Sequence, residues 1–141
     1  PADWIKPLMN MEMETVFPIN GKALWEEDED KKPYFLKIAI PKTKKNWVEL
    51  KLVTEEWVEN EPNNTEAWYE LGYAYEKLNK VGDALIAYDK ALEIDQNNSD
   101  ALLREAIIYK NKGDEKKVSQ LQSTLDDVDP NKAWILKNNK Y

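Results

Sequence analysis

Among side chains that can do chemistry, this sequence offers carboxylates in quantity and little else. It holds 27 Asp and Glu against 20 Lys and Arg, with no histidine and no cysteine. Without histidine the commonest general base and transition-metal ligand is missing. Without cysteine there is neither thiolate nor disulfide, and the redox compartment stays open. A catalytic carboxylate pair needs two acids in one cleft, with one of them held away from water. The obvious candidates, Asp126-Asp127 and the run Glu26-Glu27-Asp28-Glu29-Asp30, sit instead in polar stretches that read as solvated surface. The run also lacks the alternating ligands and turn glycine of a calcium loop. Only four glycines are present, none arranged as a phosphate-cradling loop, and no nucleophile has a base beside it. Asn63-Asn64-Thr65 and Asn97-Asn98-Ser99 satisfy the glycosylation sequon, but each reads more simply as a connecting loop. The sequence therefore predicts no catalytic, cofactor-binding or metal-ligating residue, and a protein that is not an enzyme.

The remaining possibility is binding, and composition narrows it. At 141 residues the chain has the length of one domain with a modest core. Its net charge of -7 argues against nucleic acid or an anionic membrane as the main partner. No apolar run is long enough to span a bilayer, so direct membrane insertion is not expected. The chain opens Pro1-Ala2-Asp3 rather than with Met, which suggests a processed or truncated product and leaves localisation open.

Surfaces need elements to carry them, and the stretch from Thr65 to Asn98 supplies the clearest ones. Trp68, Leu71, Gly72 and Tyr75 recur at helical spacing. The pattern breaks over Asn79 to Gly82, and Ala84, Tyr88, Ala91 and Leu92 mark the inner face of a second helix. Gly72 and Ala84 are small where two helices approach, whereas Tyr75 and Tyr88 are large enough to fill the gap between turns. Trp68 is expected to lie largely buried between neighbouring helices. One period later Ala101, Leu102, Ala106, Tyr109 and Asp129 take the places of Ala67, Trp68, Gly72, Tyr75 and Asp95. Glu105 and Gln122 fall where a leucine and an aromatic are expected, so the second copy should pack less tightly.

This pattern of Trp, Leu-Gly, Tyr, Ala, aromatic and Ala at fixed offsets resembles the tetratricopeptide repeat (TPR). The resemblance implies a mainly α protein, a short α-solenoid of about two and a half helix-turn-helix units. Its expected divisions are a degenerate half repeat over 46–64, repeats over 65–98 and 99–132, and a capping helix over 133–141. The helix of the half repeat opens on a capping box at Asn46 and Glu49. The first helix of each unit in this family lines the concave face. Carried over, those positions are Glu66, Tyr69, Tyr73, Glu76 and Lys77, then Asp100, Leu103, Ile107, Lys110 and Asn111, with Tyr73 and Ile107 expected side by side. The resemblance does not extend to receptors of chaperone C-terminal carboxylates, which need Lys and Asn where this chain has Tyr69 and Tyr73. Arg104 alone matches a clamp position there.

Residues 1–45 read differently, as an extended N-terminal arm. Met11 to Phe17 alternates like a strand and Asn20-Gly21 suits a hairpin turn. Tyr34 to Ile40, between Pro33 and Pro41, is the best strand candidate in the chain. Lys42, Lys44 and Lys45 read as a short basic loop, too brief to be a nucleic-acid patch in an acidic chain. Trp4, Phe17 and Trp25 are apolar beyond what a linker needs and are expected to make contacts through the arm.

The expected function is a non-enzymatic protein-protein interaction module without cofactors. It would be an accessory or scaffolding subunit of a larger assembly, engaging protein partners through the concave face and the arm. Two alternatives stand beside it: an assembly factor or adaptor that binds a short peptide transiently, and a recruiting or regulatory domain of a larger enzyme.

Overall fold

The computed structural model describes residues 31–141. Tyr34–Lys37 (α1) and Ala39–Thr43 (α2) are short helices, and Trp47–Asn60 (α3) is the first long one. Thr65–Lys77 (α4) and Val81–Ile94 (α5) form one helical hairpin, and Ser99–Lys112 (α6) and Glu115–Val128 (α7) form the next. Pro130–Lys137 (α8) closes the chain. Each helix packs chiefly on its neighbours in sequence, the one-dimensional organisation of a solenoid. The described residues are mainly helical and contain no strand. The hairpin expected within 1–25, and the arm residues Trp4, Phe17 and Trp25, lie outside them.

The helices start where polar side chains can take the free backbone donors of a first turn. Asn64 and Asn98 accept from Ala67 N and Ala101 N at 3.1 and 2.9 Å. Asn46 accepts from Glu49 N at 3.2 Å and its amide donates to the Glu49 carboxylate at 3.1 Å. Asp114 and Asp129 cap α7 and α8 through Lys117 N and Lys132 N, both at 3.2 Å. The stops recur too. Gly113 ends α6 in the left-handed region at φ 79°, and Asn79 and Lys45 hold φ 60° and 56° one and two periods earlier. Lys45 bears a Cβ and is uncommon there, so the reversal between α2 and α3 is imposed by the packing of the helices around it.

That reversal overturns the strand expected over Tyr34 to Ile40. Two helical turns stand there, in the place of a first helix paired with α3. Pro33 caps α1, and Pro41 sits in the first turn of α2, where a missing N–H costs no intrahelical bond. Helical spacing puts Tyr34 and Ile38 on one face, against α3. Ile38 is buried with Leu50 and Trp57, and the Tyr34 ring stacks on Trp57 at 5.4 Å and 12°. A strand would bury alternate residues instead and would need a partner edge.

The core runs as three linked clusters. Ile38, Leu50, Trp57, Ala67 and Ala74 form the first, and Ala84, Tyr88, Ala91, Ala101 and Ile108 the middle one. Leu102, Ala106, Ile107, Leu125, Ala133 and Leu136 form the last, under α8. Gly72 shows how tight the middle is. A Cβ added there would lie 2.6 Å from Cδ1 and Cε1 of Tyr88, which is completely buried. Trp68 departs from expectation. It is partly buried at the edge of this cluster, with its indole donating to Pro62 O at 2.7 Å.

Candidate functional site

The first turns and middles of α4 and α6 present the residues assigned to the concave face, and the structure divides them into two groups. Tyr69, Tyr73, Glu76, Lys77 and Arg104 come together. Tyr73 stacks on Tyr69 at 6.4 Å and meets Trp47 edge-on at 5.7 Å and 80°. Tyr69 in turn lies 5.8 Å from Tyr88, so an aromatic series runs from α3 through α4 into α5. Edge and offset contacts of this kind hold rings in fixed orientation, which makes the surface rigid before anything binds.

Cations converge on Tyr73. Lys77, Arg104 and Lys42 stand 5.3, 5.4 and 5.6 Å from its ring centroid, within reach of the negative face. Arg104 is tied down: Nε donates to Glu76 Oε1 at 3.1 Å and a second guanidinium nitrogen reaches Glu76 Oε2. The same Glu76 accepts from the Tyr88 hydroxyl at 2.8 Å, linking groove to core. Burial opposes the charge on Arg104, but the bonds and charge of Glu76 outweigh it and hold its pKa above the ordinary value. Burial first, then the nearby acids Asp100 and Glu70, pushes the Tyr69 hydroxyl well above its usual range, so it stays a neutral donor. Lys77 also lies over Trp47 at 5.8 Å, and no carboxylate pairs with it among the described residues.

Leu103, Ile107 and Lys110 fall in the other group. Ile107 is only 5% exposed, inside the cluster covered by α8, and Leu103 packs on that cluster. Lys110 donates to Leu136 O at 2.8 Å. The expected pairing of Tyr73 with Ile107 on an open face is therefore replaced. Tyr73 packs against the first core cluster and Ile107 belongs to the last, because α8 takes up that part of α6. Asp100 is more exposed and pairs with Lys132 at 3.3 Å, while Glu66 and Asn111 are exposed.

Three residues that complete the site escaped sequence reasoning: Lys42, Trp47 and Glu70. Trp47 opens α3 and carries no local sign of the tyrosine it meets on α4. Glu70 carried a usable signal, an acid spaced three and four residues from the small apolar Ala67 and Ala74 on the same helix. Lys42 carried none, since its position depends on α2 being helical. The Lys42 amine pairs with Glu70 Oε1 at 2.9 Å, and the Glu70 side chain is buried with Oε2 lacking a hydrogen-bond partner among the described residues. Burial raises its pKa, and Lys42 opposes that shift. The arrangement offers aromatic rings in mutual contact, paired charges and one buried carboxylate oxygen without a partner among the described residues.

Comparison with known proteins agrees. Residues 65–98 and 87–117 each match the tetratricopeptide repeat. A peroxisomal targeting signal receptor of Komagataella phaffii is 37% identical over 62 residues, 44% of this chain and 11% of its own length. A PEX5-related protein of Homo sapiens is 31% identical over 90 residues, 64% of this chain and 13% of its own. The chain thus spans little more than a tenth of these relatives. Among solved structures, the TPR2B domain of yeast Sti1 in a complex with an Hsp70 peptide is similar, with TM-score 0.56 and 24% identity over 66% of this chain and 72% of that one. A chain of the CopN–Scc3 complex reaches TM-score 0.61 at 17% identity, covering 96% of this chain and 76% of that one, a likeness of fold.

Proposed function

We propose, for a chain that belongs to the tetratricopeptide-repeat superfamily and is a protein-protein interaction module, that it works as a non-enzymatic accessory or scaffolding subunit of a larger protein assembly. The aromatic series Trp47, Tyr73 and Tyr69, ringed by Lys42, Lys77 and Arg104, carries this reading. Rigid aromatic anchors beside desolvated charge are the composition of an interface centre, and they lose little conformational entropy on binding. Glu66 and Asp100 form the polar rim at one end. Residues 1–30, with Trp4, Phe17 and Trp25, supply a second contact segment.

Replacing Tyr73 with Asp tests the reading. The variant should keep its helical circular dichroism and lose capture of its partner complex from a native extract by about tenfold or more. Unchanged capture would move the binding surface to residues 1–30. A transient adaptor for a short peptide is the second reading, favoured by the likeness to a targeting signal receptor. The dissociation rate of the captured partner separates the two, in hours for a subunit and in seconds or less for an adaptor.

A further inference from the structure

The contact between Lys42 and Glu70 is incomplete in an instructive way. Glu70 projects from the middle of α4 and is only 4% exposed. Lys42 reaches it from α2, across the seam between the first helical pair and the first repeat. Its amine bonds Oε1 at 2.9 Å and lies 5.6 Å from the Tyr73 ring centroid. Oε2 is buried without a hydrogen-bond partner among the described residues. A buried carboxylate oxygen left unpaired is costly, and a cation placed against both a carboxylate and an aromatic face is normally well satisfied. Here the cation is a single ammonium, which binds as a point charge, whereas a carboxylate has two oxygens. A guanidinium is planar, matches both at once, and stacks on aromatic rings. Glu66 and Asp100 add negative potential at Glu70. Lys42 itself sits on a helix of five residues and keeps 39% of its side chain exposed, so it can swing aside without disturbing the core.

From these observations we infer that Glu70 and Tyr73 form a cradle for a guanidinium, an arginine side chain of the protein partner, which Lys42 occupies in its absence and yields on binding. This deepens the groove reading and rests on it. Lys42 acts as an internal competitor, so affinity is set by the difference between the two occupants rather than by the carboxylate alone. Specificity follows from geometry: a partner arginine fills both oxygens, a partner lysine only repeats what Lys42 already does, and a neutral isostere fills neither charge.

The probe is N-acetyl-arginine amide, titrated into the isotope-labelled full chain and followed by amide chemical shifts. Saturable shifts are expected around Lys42, Glu70 and Tyr73, with none from the neutral N-acetyl-citrulline amide. Lys42→Met, which keeps the aliphatic stem, should tighten binding roughly tenfold, and Lys42→Arg, which fills the cradle from within, should weaken it by roughly as much. Glu70→Gln should abolish it. Equal shifts from citrulline, or equal affinity for the parent and both Lys42 variants, would overturn the cradle. Should Lys42→Met fail to fold, Lys42→Arg decides alone, since it retains the charge and length that pack there. The partner-capture experiment with Tyr73→Asp uses no arginine probe. Loss of capture there, together with no guanidinium binding here, would sink the cradle and leave the groove reading standing.

Discussion

In the first repeat the ring of Tyr88 lies against Gly72, and one period later Gln122 and Ala106 hold the same two places. The tyrosine is fully buried and tethered through its hydroxyl to Glu76. The glutamine is partly exposed and uses its amide on Asp126 Oδ1 and Ala133 O, at 3.1 and 3.0 Å. Leu71 and Glu105 make a second such pair, both buried, one apolar and one acidic. The first repeat is completed from both sides, Ala67 and Ala74 packing on α3 and Ala84, Tyr88 and Ala91 meeting Ala101 and Ile108 of α6, and it too buries an acid, Glu70. The second sets the acid Glu105 where the first has Leu71 and borrows Ala133 and Leu136 from α8 to finish its core. One period can therefore be completed by helices on both sides or by a cap. Tyr69 and Tyr73 accordingly stay partly exposed beside α3, while Leu103 and Ile107, their counterparts, lie against the cap.

Truncation at the two equivalent positions tests the contrast most severely. Tyr88→Ala should cost about 3–5 kcal/mol, as for other buried aromatics, while Gln122→Ala should cost about 0.5–1.5 kcal/mol in lost hydrogen bonds. Urea melts of the two variants measure this, and equal losses would mean that the repeats are filled alike. Gly72→Ala comes next. Its Cβ would stand 2.6 Å from a ring that has nowhere to go, so a loss of about 1–3 kcal/mol is expected despite the better helix propensity of alanine. A neutral or stabilising result would show that the ring can retreat and that the close approach is incidental.

The smallest effect sharpens the comparison at Glu105. Burial, reinforced by a hydrogen bond with Asp89 of α5, pushes its carboxyl up to about 8, with Lys117 of α7 the opposing charge. Tyr109 of α6, whose hydroxyl is itself raised by burial and then by Glu105, is the remaining titratable neighbour. The folded chain thus keeps a proton that the unfolded chain releases near the ordinary carboxylate pKa of about 4. Stability from this group is present at low pH and is lost as pH rises through about 8. Glu105→Leu restores the residue type of the first repeat. It should flatten that decline and stabilise the chain by about 1–2 kcal/mol above the window. Melts across the window that fall equally steeply in parent and variant would place the proton elsewhere.

Much of this was legible in the residues. The period of 65–98, the small residue beneath Tyr88, the cap at Asn46 with Glu49, and the weaker second copy flagged by Glu105 and Gln122 all follow from local spacing, which a single chain displays. Trp68 was harder: its aromatic bulk implied burial, but its place at the seam between helices leaves an edge in solvent. Tyr34 to Ile40 was misread because a short apolar run between prolines suits a strand or a helix equally, and what decides is the neighbour it packs on.

The sequence by itself determined the helical hairpins from Thr65 onward and the tight contact between them. It could do so because helix periodicity, capping and side-chain volume act within a few residues of one another. Only the tertiary structure decided which of the residues assigned to the concave face come together. Lys42 meets Glu70 and Trp47 meets Tyr73 across separations of 28 and 26 residues, and neither pairing leaves a mark on local pattern. The left-handed turn at Lys45, which follows α2 and folds it back on α3, places one, the angle of α3 on α4 places the other, and the docking of α8 removes Ile107 from the surface. Each depends on how whole helices bury their faces against one another, a property of the assembled solenoid rather than of any stretch of it.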